Sequence, residues 1–254
     1  MSGFGRSANR DGTMTVLEHL GELRVRLVLS AASVLAAAVF SFTQIERIRH
    51  LISRPIPGLT LIVLSPPEAF SAYLRLSLIA GVLLASPMLL YQALAFVFPG
   101  LYKHEKRFLL GAVAGITFFF FGGVLFAYYV AFPYAIGFFL KIAASQLEPQ
   151  FNFSEYISFM LSFHLGFGLV FQLPLLFWLL GRIGLVSSAW LRRNRKFALL
   201  AILLLAALIT PPDVISQMAM AVPLLFLYEL GIFMVVMSER RRMRESRVEG
   251  QVGL

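Results

Sequence analysis

The sequence predicts an all-α integral membrane protein, with six transmembrane helices in one bundle and both chain ends on the same side. Three observations carry this. Of 254 residues, 59% are hydrophobic and only 14% are charged. The apolar residues gather into six long uncharged stretches, and positive charge sits almost wholly on alternate sides of them. A bilayer core is about 30 Å thick and a helix rises about 1.5 Å per residue, so about 20 apolar residues cross it. Lipid offers no water to backbone N–H and C=O groups, so the stretches must be helices.

The stretches run 27–42, 76–98, 108–140, 156–181, 197–212 and 214–238, the last interrupted by Glu229. Before the first, Thr15-Val16-Leu17-Glu18 fits a capping box and places a helix start near Thr15. Leu17, Leu20, Leu23 and Leu27 line one side, and Glu18, Glu22 and Arg26 another. This reads as an amphipathic lead-in at the membrane surface. Residues 43–73 form the longest connection, kept from being one helix by Pro55, Pro57, Pro66 and Pro67. Span three is too long for one perpendicular crossing and is expected to bend near Pro133 into an outer amphipathic portion. Span five has only 197–209 unbroken before Thr210-Pro211-Pro212. Either the bilayer thins around it or a tilted neighbour covers the deficit.

Charge sets the orientation. Of the 22 lysines and arginines, seventeen fall in the N-terminal arm, the 103–107 loop, the 182–196 segment and the tail. Four (Arg47, Arg49, Arg54 and Lys141) fall on the other side, and Arg75 is at a boundary. The positive-inside rule puts both termini in the cytoplasm. The net charge of +9 is then a topology signal, and no folded basic face for nucleic acid is visible. The domain reading is a flexible arm over 1–14, a membrane domain over 15–238 and a basic tail over 239–254. The tail is either a solvated end or a contact for anionic lipid headgroups. With zero cysteines there is no disulfide framework. The first dozen residues lack an apolar core and do not read as a cleaved signal peptide.

Polar groups within spans are functional candidates because hydrocarbon penalises them. Gln172 precedes Pro174 in span four. It is either a partner for backbone freed near the proline or part of a polar cavity. His164, two turns earlier, reads as a hydrogen-bonded helix contact. Glu229 reads as a snorkelling or helix-paired carboxylate. The loop 98–107 carries both signs of charge, and with Glu22 it puts Glu105 at the mouths of spans one to three. Arginine is the natural cationic partner for such carboxylates, because its fork meets them bidentately.

Three segments together resemble one family. His19-Leu20-Gly21-Glu22-Leu23-Arg24-Val25-Arg26, Pro99-Gly100-Leu101-Tyr102-Lys103-His104-Glu105-Lys106-Arg107 and Thr210-Pro211-Pro212-Asp213-Val214-Ile215-Ser216-Gln217 look like signatures of TatC. That family is the multispanning receptor subunit of the bacterial twin-arginine translocase. The resemblance covers roughly 15–238. It implies a concave, glove-like bundle in the bacterial cytoplasmic (inner) membrane. It implies that twin-arginine signal peptides of folded precursors bind at the cytoplasmic face, with export driven by the proton gradient. Glu22 and Glu105 match the family's recognition carboxylates. Arg24, Arg26, Phe96, Lys103 and Pro55 match other positions tied to function or assembly, and Asp213 and Gln217 match the outer motif. Partners implied are TatA- and TatB-like single-span proteins, membrane lipid and further copies in an oligomer. Many members carry Glu where this chain has Gln172, so a proton-linked role there is not carried over.

The alternative is a proton- or ion-coupled small-solute transporter. Its mark would be paired broken helices in two repeated halves. Prolines 87, 133, 174 and 223 break several spans, but no repeat organises them. His19, His50, His104 and His164 lack metal-ligand spacing, so no metal, cofactor or enzyme activity is expected.

Overall fold

The computed structural model describes residues 16–54, 61–97, 106–143, 151–209 and 213–252. Glu105, Lys103, Pro55 and the 210–212 triplet lie outside the described residues. Ten α-helices account for nearly everything described. In order they are α1 (Val16–Thr43), α2 (Ile45–Ser53), α3 (Pro66–Val97), α4 (Lys106–Phe126) and α5 (Phe132–Ala143). There follow α6 (Phe153–Val170), α7 (Leu173–Arg182), α8 (Ser188–Arg193), α9 (Arg195–Ile209) and α10 (Val214–Val252). Two-residue strands β1 (Leu61–Ile62) and β2 (Phe151–Asn152) pair in parallel.

Five continuous helical segments are long and apolar enough to cross a membrane. They are Leu17–Thr43, Pro66–Phe96, Gly111–Lys141, Phe153–Arg182 and Val214–Arg240. The sixth stretch is α9, with 15 residues, short as the sequence indicates. The lead-in differs from expectation. It is no separate surface helix, because α1 runs unbroken for 28 residues from Val16. Nothing between 16 and 43 breaks a helix, and the Glu22–Arg26 ion pair lets the charged turns continue the span.

The prolines act unequally. Pro133 sits in the first turn of α5, directly after a π-helical segment at Ala127–Ala131, which is where the sequence places a bend. Pro174 opens α7 after a turn at 171–172. Pro87 and Pro223, by contrast, lie inside α3 and α10 without ending them. At Pro87 the missing N–H would have gone to the Leu83 carbonyl. The Ser86 hydroxyl donates to that carbonyl instead, at 2.7 Å. The helix α10 also carries on across 239 to Val252.

Packing runs as an open row. α1 lies on α3, α3 on α4 and α6, α4 on α6, and α10 on α7 and α9. The apolar window of α1 is only 11% buried against 44% in α6–α7 and α10, so α1 is an edge helix. The seam between α1 and α3 is tight at Gly81, where an added Cβ would come within 2.6 Å of the Ala38 backbone. Where α5 meets α6 an aromatic core forms around fully buried Phe132, whose ring meets Tyr156, Phe159 and Phe163 at 5.6 to 5.9 Å. Two tyrosine hydroxyls clamp the end of α2. Tyr128 donates to Leu51 O and Tyr156 to Ile52 O, each at 2.7 Å.

Gly81→Ala should loosen the α1–α3 seam, because backbone cannot yield to a new methyl as a side chain can. A loss of about 1–3 kcal/mol is expected in reversible unfolding from mixed micelles. Gly21→Ala on α1 meets nothing within 4 Å and should be neutral or stabilise by about 0.5–1 kcal/mol. Equal effects of the two would show that the seam is not tight. Asp213 Oδ1 accepts from Ser216 N at 2.7 Å and so caps α10. Asp213→Ala should cost about 1 kcal/mol in the same assay, and Asp213→Asn much less.

Candidate functional site

The candidate recognition residues gather where the start of α1 meets the end of α3. Helical spacing of three and four puts His19, Glu22 and Arg26 on one face of α1. One turn near the end of α3 offers Gln92 and Phe96 to that face. The His19 and Phe96 rings stack at 4.4 Å with their planes 12° apart. Arg26 closes the group. Its Nε donates to Glu22 Oε1 at 2.9 Å, its Nη2 donates to the same oxygen, and its Nη1 donates to Gln92 Oε1 at 2.9 Å.

Burial explains why this arrangement holds. Gln92 is 6% exposed, and the side chains of Glu22 and Arg26 are 22% and 17% exposed. A guanidinium and a carboxylate that far out of water need each other, and Gln92 satisfies the remaining arm of the fork. Glu22 Oε2 has no hydrogen-bond partner among the described residues. The group therefore receives a guanidinium with two acceptor residues and keeps one carboxylate oxygen unused.

Of the residues the sequence singles out, Glu22, Arg26 and Phe96 come together here. Arg24 does not: it is exposed and lies two residues from both Glu22 and Arg26, on a different face. Glu105 and Lys103 fall outside the described residues, though Glu105 adjoins Lys106, the first residue of α4. Two members were missed by sequence reasoning. His19 was visible only as motif, and Gln92 not at all, although an amide inside an apolar span was a usable signal.

The other singled-out polar residues serve backbone. Gln172 Nε2 donates to Gly168 O at 3.3 Å and to Ile116 O of α4 at 3.2 Å. Gly168 O is free because the Gln172 N–H has moved to Leu169 O in the turn before Pro174. Of the two readings for Gln172, the backbone partner is the one found. His164 Nδ1 donates to Met160 O at 2.6 Å within its own helix rather than across helices, and its ring packs on Phe132 and Tyr128. Glu229 pairs with Arg195 at 2.8 Å. Asp213 caps α10, and Gln217 Nε2 donates to Leu203 O of α9 at 3.0 Å. Among the described residues no group of His, Asp and Glu could hold a metal ion.

Comparison with known proteins places this geometry. A family model described as "Sec-independent protein translocase protein (TatC)" matches residues 18–223. The chain is 44% identical over 220 residues to a protein of that name from Desulforapulum autotrophicum, covering 85% of this chain and 82% of the relative. A namesake from Aquifex aeolicus is 35% identical over 235 residues, covering 90% and 98%. Among solved structures, one titled "Crystal Structure of Twin Arginine Translocase Receptor- TatC" superposes with a TM-score of 0.77 at 35% identity. It covers 87% of this chain and 99% of that one. With its helices and these likenesses in agreement, the chain belongs to the TatC family of Sec-independent protein translocase proteins.

Proposed function

We propose that this chain is the receptor subunit of a twin-arginine translocase, taking the arginine pair of a signal peptide at the Glu22 group. The observation that carries the reading is the manner in which Arg26 is held. A guanidinium already sits there, forked on Glu22 Oε1 and braced by Gln92 Oε1. An incoming arginine offers the same fork, and Glu22 Oε2 is a further acceptor. The relatives' name and the neighbour's title support the receptor role. Glu105, at the entry of α4, is the second carboxylate of the site. Phe96 stacks on His19 within the group, and Arg24 and Lys103 add positive charge to the same end of the chain's first spans.

The rest of the reading follows from charge and family. Both termini lie in the cytoplasm, the membrane is the bacterial inner membrane, and precursors cross folded with energy from the proton gradient. Single-span TatA- and TatB-like proteins are the partners, and the receptor works as an oligomer.

Glu22→Gln should weaken binding of a twin-arginine signal peptide about tenfold, measured by titration of labelled peptide into the full-length protein in nanodiscs. Glu105→Gln should act likewise. A twin-lysine peptide should lose affinity for the wild type and lose less on going to either variant, because it never makes the fork. Unchanged arginine-peptide affinity in both variants, with helix content intact, would sink the assignment. A reporter fused after Leu254 should be active only in the cytoplasm, and activity outside would reverse the topology.

A further inference from the structure

The short helix α9 leaves part of α10 uncovered. Arg195, the first residue of α9, pairs with Glu229 at 2.8 Å, which sets the start of α9 level with that carboxylate. α10 carries on past Glu229 to Glu239 and beyond, an overhang of about 15 Å at about 1.5 Å per residue. One face of the overhang is covered by α7, where Gly181 meets Val235 and Gly231 meets Phe177. Another face is open and forms a groove of about 520 Å³. That is within the roughly 300–1,000 Å³ of ordinary small-ligand sites.

The groove is two-sided in chemistry. Ile232, Phe233, Val236 and Met237 make its apolar wall, while Arg192 of α8 and Arg240 of α10 flank it. Glu229 also lines it, but that charge is answered by Arg195. Glu239 beside Arg240 is engaged too, accepting from Ser188 N at 2.8 Å and from Ser188 Oγ at 2.6 Å. Neither Arg192 nor Arg240 has an ion pair among the described residues. Depth is marked independently. The chain has 2 tryptophans, Trp178 on α7 and Trp190 on α8, both at this end, and exposed Trp190 suits the headgroup level.

We propose that this groove binds one phospholipid with an anionic headgroup, an acyl chain lying along Ile232, Val236 and Met237 and the phosphate between Arg192 and Arg240. The groove offers both parts of such a lipid a partner, an apolar wall for the acyl chain and two arginines for the phosphate. The lipid fills the space that a full-length α9 would otherwise cover.

The test uses the full-length protein in detergent, incubated with equal amounts of phosphatidylglycerol and phosphatidylcholine, with retained lipid counted by native mass spectrometry. The wild type should retain one phosphatidylglycerol with roughly tenfold preference over phosphatidylcholine. Arg192→Gln with Arg240→Gln should abolish the preference, and Arg192→Lys with Arg240→Lys should keep most of it. Met237→Phe, which fills the wall and leaves both arginines, should lose the bound lipid. Arg47→Gln, exposed on α2 away from the groove, should change nothing. Circular dichroism verifies that each variant keeps its helix content. The proposal is overturned by equal preference in the wild type and the double glutamine variant, or by retention unaffected in Met237→Phe. Displacement by inorganic phosphate alone, or an apolar protein segment bound there in place of lipid, overturns it equally.

Discussion

Inside lipid an unpaired carbonyl has no water to turn to, and this chain interrupts or bends its helices repeatedly. Its buried polar side chains are placed to answer that. Tyr128 and Tyr156 meet the last carbonyls of α2, and Tyr228 meets Leu191 O at the end of α8 at 2.8 Å. Ser86 covers the carbonyl that Pro87 abandons. Gln172 covers the one released in the turn before Pro174 and reaches α4 with its second donor. Gln217 ties α10 to α9 through Leu203 O. Ser86 acts within α3, but each of the other donors joins two elements, so satisfying the backbone also ties the row together.

The recognition group depends on that row but sits at its loosest edge. α1 touches α3 and little else, yet its register on α3 is held by the contact between Gly81 and the Ala38 backbone. Small residues allow such close approach where no hydrophobic drive separates helix from lipid. About three turns back along α1 from Ala38, Arg26 then meets Gln92, and Glu22 one turn further holds Arg26. Ionised groups near hydrocarbon are tolerated there because each has its counterpart.

The short α9 shapes the opposite edge. Its 15 residues rise about 22 Å, against about 30 Å of hydrocarbon. Polar contacts hold it at two points: Arg195, its first residue, pairs with Glu229, and Leu203 O in its middle accepts from Gln217 of α10. Fixed in this way, it cannot slide to cover the overhang of α10. The lipid around it must adjust instead.

Sequence alone determined the class, the span order and the shortness of α9, since these depend on apolar length and on charge between spans, both local properties. It also marked positions to watch: Gln172 as an amide inside a span, Glu22 and Glu105 as carboxylates at the span mouths, and Asp213 through the family resemblance. Only tertiary structure decided which partners Glu22, Asp213 and Gln172 meet. Arg24 and Arg26 look equivalent in the motif, but helical phase turns Arg26 into the site and Arg24 out to the surface. Gln92 gave no sign beyond being an amide in a span, because its role exists only once α1 lies against α3. The prolines at 133 and 174 mark breaks while those at 87 and 223 do not, and sequence cannot separate them. The difference at Pro87 is a serine hydroxyl within reach of the freed carbonyl, a contact made in space by folded backbone.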